Sequence, residues 1–137
     1  MALSALAVCF VAGAIGLWRL PKGLSNNVAF TNISNGSSVA PVQIISGIGW
    51  EPSLNNYLVV EPLDASDRKL IQGQITSRKW NLSAHFGNTG TPSGSRFDVY
   101  VISSPSKLSV NEPGPGEVLN VPDDSKVSRR VTVILRK

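Results

Sequence analysis

"KWNLSAHFGNTGTPSGSRFDVYVIS", residues 79–103, decides the fold class. In its first part Trp80, Leu82 and Ala84 alternate with Asn81, Ser83 and His85; in its last part Phe97, Val99 and Val101 alternate with Asp98, Tyr100 and Ile102. Successive side chains of a strand point to opposite faces, so each part reads as a strand with one better-buried face. The stretch between them, residues 87–94, is rich in Gly, Thr and Ser and has the length of a hairpin loop.

The same pattern extends outward in both directions. "RRVTVILRK", residues 129–137, sets Val131, Val133 and Leu135 against Thr132, Ile134 and Arg136. Upstream, "NYLVVEPL" (56–63) is a strong strand ended by Pro62, while "KLIQGQI" (69–75) is interrupted by Gly73. "VAPVQIISG" (39–47) is a strand with Pro41 near its start, and Val28-Ala29-Phe30 precedes an Asn35-Gly36 turn signal. The Pro-rich stretch 103–126 reads as a long loop, with a short turn of helix around Lys107 to Val110. About seven short strands with no helical period predict an all-β, antiparallel β-sandwich over residues 24–137. A chain of 137 residues holds one such core and no second domain.

The first 23 residues do not belong to that pattern. Ala2 to Trp18 carry no charged side chain and end at Arg19 and Lys22. A helix of this length spans about 26 Å, close to a hydrocarbon core of about 30 Å, and Trp18 stands where an interfacial aromatic belongs. Residues 1–23 are therefore expected to form a transmembrane or signal helix ahead of the sandwich. Ala12-Gly13-Ala14 supplies the small residues of a cleavage site, in which case the product is secreted. A buried helix of the soluble domain is the weaker reading, because a helix apolar all round needs a larger protein around it.

Charge and cysteine content exclude several classes. The chain has 13 basic and 9 acidic side chains, and four of the basic ones, Arg129, Arg130, Arg136 and Lys137, lie in the last nine residues. Residues 24–128 are slightly acidic, which gives no nucleic-acid-binding footprint. The basic tail either meets anionic lipid or an acidic partner, or guards an edge strand against aggregation. Cys9 is the only cysteine, so neither an intrachain disulfide nor a cysteine-ligated metal is expected. No phosphate-binding glycine loop opens a helix, and no cofactor is expected.

Candidate chemistry is sparse. Glu61, Asp64 and Asp67 crowd into seven residues and, with Asp123 and Asp124, offer oxygen ligands for calcium, although solvated turns are the stronger reading of them. Trp50 in "SGIGWEPSLNN", with Tyr57 and Tyr100, could form a stacking surface for a glycan, whereas Trp80 alternates with Leu82 and Ala84 and reads as the core tryptophan. Ser83, His85 and Asp98 contain the residue types of a nucleophilic triad, but alternate residues on one strand face stand about 7 Å apart. The sequons at Asn32, Asn35 and Asn81 matter only in a eukaryotic secretory pathway.

Taken in order, "ISNGSSVAPVQIISG", "YLVVEPLD", "KWNLSAHFG", a Gly-rich hairpin and "RFDVYVIS" make residues 28–103 resemble a bacterial immunoglobulin-like module found behind a membrane-spanning segment. The opening lacks the Pro and Asp of that pattern. The resemblance implies a noncatalytic accessory domain facing away from the cytoplasm, with no active-site residues to transfer, although Arg19 and Lys22 taken alone place the domain inside. The expected function is a membrane-anchored binding or structural module for a protein or glycan at the cell envelope. The alternatives are a calcium-dependent lectin-like domain and a small envelope hydrolase.

Overall fold

A computed structural model describes residues 24–64, 68–108, 110–111, 116–118 and 121–137. The apolar head, and with it the expected anchor or signal helix, lies outside the described residues. Those residues form an all-β fold of two sheets, with no helix among them. The strands in chain order are β1 (Leu24–Ser25), β2 (Ala29–Phe30), β3 (Ser38–Val39), β4 (Val42–Ile48), β5 (Asn55–Pro62), β6 (Leu70–Ile75), β7 (Lys79–His85), β8 (Arg96–Ser104), β9 (Val110–Asn111), β10 (Gly116–Val118), β11 (Lys126–Val127) and β12 (Val131–Leu135).

The smaller sheet has the order β2-β4-β7, and in it β4 pairs with β7 from Val42↔His85 to Ile48↔Lys79. The larger sheet is centred on β5 and β8, with β6, β10 and β9 continuing beyond β5. On the other side of β8, β12 pairs with its first half and β11 with its second. Between those partners Ser128 closes the ladder: its N–H donates to the Val101 carbonyl at 2.9 Å, and its hydroxyl oxygen accepts the Val101 N–H at 2.8 Å. The pairings are antiparallel except β3 with β12 and β1 with β11, which are parallel. The β3 pair arises because the N-terminal part of the chain leaves the smaller sheet after β2 and joins the larger one at β3.

Facing side chains of the two sheets form the main core, which includes Ile45, Trp80, Ala84 and Phe86 from one side and Leu58, Val60, Phe97, Val99 and Val133 from the other. Trp80 is the core tryptophan that its alternation predicts. Its indole meets Phe30 edge to face at 6.0 Å, and Nε1–H donates to the Gly49 carbonyl at 3.1 Å. Gly49 sits at φ +100°, with the Asn27 carbonyl where a side chain would start, so glycine is required there.

Two sequence expectations are corrected. The alternation in β8 predicts one buried face, yet Val99 to Ser104 are all buried, as are Asn56 to Val60 of β5. The cause is a second apolar cluster on the outer face, in which Leu108, Val121 and Val127 pack with Tyr57, Val59, Tyr100 and Ile102. Second, the helical turn expected around Lys107 to Val110 is not formed in its described residues. Val110–Asn111 is a strand instead, and it pairs with β10, which in turn extends β6.

Candidate functional site

Two of the expected calcium ligands, Glu61 and Asp64, point to basic side chains. Glu61 of β5 lies directly across from Asp98 of β8 on the outer face of the larger sheet. Two carboxylates in that relation repel, and Arg130 stands between them, with Nη1 3.1 Å from Glu61 Oε1 and 3.5 Å from Asp98 Oδ2. The Tyr100 hydroxyl donates to Glu61 at 2.8 Å, Thr132 donates to Asp98 at 2.6 Å, and the Arg130 guanidinium lies 4.0 Å from the centre of the Tyr100 ring. Burial raises the Glu61 pKa, but the Tyr100 and Arg130 bonds outweigh it and hold the carboxyl below its ordinary range. The Tyr100 phenol is pushed up by burial and by the same carboxylate.

Asp64 is separate from this network. It accepts the Arg96 N–H and a guanidinium N–H, each at 2.8 Å, and that partner lowers its pKa. Asp67 lies outside the described residues, and Asp123 and Asp124 are exposed in a turn. Among the described residues no three His, Cys, Asp or Glu side chains converge as a metal-ligand group.

The three aromatic residues are not assembled into a platform. Tyr100 and Tyr57 retain 1% and 8% exposure, and the Tyr57 oxygen accepts the Leu108 N–H at 3.3 Å. Trp50 is half-buried and packs against the main core. Nor do Ser83, His85 and Asp98 meet. Their strand parity puts Ser83 and His85 on the outer face of the smaller sheet and Asp98 on the outer face of the larger one. Two sheets about 10 Å apart therefore separate them.

A concave site forms elsewhere, where the chain crosses between sheets. Val28, Ala29 and Phe30 and the turn residues Ile33, Ser34 and Asn35 face Arg129 and Val131 across a cleft of about 480 Å³. Thr132 fastens the turn to β12: its N–H donates to Asn35 Oδ1 at 2.9 Å, and its carbonyl accepts the Gly36 N–H at 2.8 Å. Asn32 fastens it to β4, acting as a substitute strand residue. Its Nδ2 donates to the Ile44 carbonyl at 2.8 Å, and its Oδ1 accepts the Ser46 N–H at 2.9 Å. The walls are thus held in place from both sheets.

No protein-family model, curated protein or solved structure matches the chain.

The cleft has the make-up of a binding site: apolar walls from Val28, Phe30, Ile33 and Val131, with one cation at the rim. Arg129 and Arg130 follow one another in extended chain and take opposite directions. Arg130 is held by Glu61 and Asp98, whereas Arg129 is exposed beside the cleft and forms no ion pair among the described residues. Sequence reasoning missed this site because its two walls lie about a hundred residues apart. The only hints were an unusually apolar turn at Ile33 and the Arg129-Arg130 pair.

Proposed function

We propose that the chain is a noncatalytic, immunoglobulin-like binding module that recognises a protein partner at the cell envelope and is held there by its apolar head, residues 1–23. The strand arrangement supports the immunoglobulin-like reading. Such sandwiches place the first, second, fourth and fifth strands in one sheet and the third, sixth and seventh in the other, and the variable type adds strands to the second of these sheets. Here β2, β4 and β7 share one sheet, while β5, β8 and β12 share the other, with β6 beside β5. The length and apolarity of Ala2 to Trp18 support the anchor.

The observation that carries the binding role is the cleft at β2, with its apolar walls and an arginine that no carboxylate among the described residues occupies. A protein partner is favoured over a glycan because the rings of Tyr57 and Tyr100 lie inside the fold and not on its surface. The test places a photo-cross-linking amino acid at Ser34, on the cleft rim, and at Thr76, an exposed position outside the cleft, in cells that make the full chain. A discrete adduct is expected from position 34 only, and it should weaken when Arg129→Gln is added. Equal adducts at both positions, or none at 34, would overturn the reading. The anchor is tested on the same membranes: the full chain should stay in the pellet after alkaline carbonate extraction, and release into the supernatant refutes it.

A further inference from the structure

We propose that the occupant of the cleft is an extended peptide segment with an acidic end, which adds a strand to the free edge of β2. This rests on the reading of the cleft as a binding site and specifies what it takes. Among the described residues β2 has β4 as its single neighbour in the smaller sheet, and no described strand pairs with its other edge. The Thr31 N–H donates to the Ser46 carbonyl at 2.9 Å, which directs the odd-numbered residues of this segment toward β4. In an antiparallel ladder backbone groups alternate between the two edges, so the N–H and C=O groups of Val28 and Phe30 point the other way, along the cleft. Backbone donors and acceptors in a row call for another backbone, which alone supplies both at strand spacing.

The side-chain chemistry agrees. An added strand turns every second side chain to one face, and the apolar walls at Phe30, Ile33 and Val131 offer that face a dry seat. At one end stands Arg129, exposed and bonded to no carboxylate among the described residues, whose planar fork suits a carboxylate in two-point contact. The remainder of the smaller sheet is less suited to a strand. At the far edge, β7 has one of its outward amides, that of His85, already bonded to Gln72 Oε1 at 2.7 Å.

The full-length ¹⁵N-labelled chain, held in lipid nanodiscs, is titrated with an acetylated hexapeptide of alternating threonine and valine that ends in a free carboxylate. Parallel titrations use its C-terminal amide, two isomers N-methylated on alternate residues, and 4-phenylbutanoate, an apolar acid with no peptide backbone. The free-acid peptide should shift the cleft residues and slow hydrogen exchange at the Val28 and Phe30 amides. One N-methylated isomer should bind and the other should not. The amide, and the Arg129→Gln protein with the free acid, should each bind about tenfold more weakly, as expected for one lost charge-assisted contact. Equal binding of both N-methylated isomers, or no effect of amidation and of Arg129→Gln, would overturn the proposal. Binding of 4-phenylbutanoate without the peptide would overturn it while sustaining the cleft as a site, and silence from every probe would overturn both.

Discussion

Trp80 lies directly across from Gly47, and its indole fills the space that a side chain at Gly47 would need: a Cβ built there comes 2.2 Å from Trp80 Cζ2. Gly47 is the central position of the smaller sheet, paired with Phe30 on one side and Trp80 on the other. A methyl group there must push the ring away from Phe30 and from the Gly49 carbonyl. Gly47→Ala is therefore expected to destabilise the fold by about 1–3 kcal/mol, read as a lower urea midpoint. Adding Trp80→Leu should make the Gly47→Ala change milder than it is alone. An unchanged midpoint in the single variant would refute the packing argument.

Leu108 plays the corresponding part on the opposite side of the molecule. It is 8% exposed and covers the outer faces of β5 and β8 together with Val121 and Val127. Truncation leaves a cavity above Tyr57 and Tyr100, so Leu108→Ala should cost roughly 2–5 kcal/mol. Limited proteolysis should then cut next to Leu108 before any other described region, because Leu108 ties its part of the chain to the sheet through that cluster. Cleavage that begins elsewhere would contradict this placement.

The same residue shows why part of the fold was legible and part was not. In β7 the solvent side is polar, and alternation alone gave the inward-facing set, Trp80, Leu82 and Ala84; in β12 it gave Val131, Val133 and Leu135, with Ile134 the one apolar side chain on the other face. In β8 the second face carries Tyr100 and Ile102, and their burial depends on Leu108 and Val121, which lie in a Pro-rich stretch with no period. The site was hidden for a related reason. Phe30 and Val131 come together through the crossing from β2 to β3 and the β3–β12 pairing, both nonlocal. Glu61 and Asp98 likewise stood in separate strands until the register set them opposite one another, with Arg130 between.

Asn32 substitutes for a strand residue at the edge of β4, and this gives a local prediction. Asn32→Ala removes both bonds to the Ile44 carbonyl and the Ser46 N–H. The residue is exposed, so the loss should be about 1 kcal/mol. Hydrogen exchange at the Ser46 amide should accelerate well beyond that at Ile45, whose backbone faces β7. Equal acceleration of the two amides would mean that the sheet opens as a unit and that Asn32 does not hold the edge.

Arg130 should govern how stability responds to acid. The folded-state pKa of Glu61 is depressed, so its contribution is fully present above the unfolded value of about 4.3 and is lost as pH falls through the lower folded value. Arg130→Met removes the cation and leaves Glu61 facing Asp98, half-buried and of like charge. At neutral pH the variant should be less stable by roughly 1–3 kcal/mol. Its Glu61 pKa is then higher than in the parent, because burial and the Asp98 charge oppose ionisation while, of its hydrogen bonds, only that from Tyr100 still favours it, and acidification relieves the repulsion. Urea midpoints followed from pH 7 to pH 3 should thus hold and then fall for the parent chain, whereas the variant gains on the parent as Glu61 takes up its proton. Parallel profiles would show that Arg130 sits over Tyr100 without controlling the carboxylate pair.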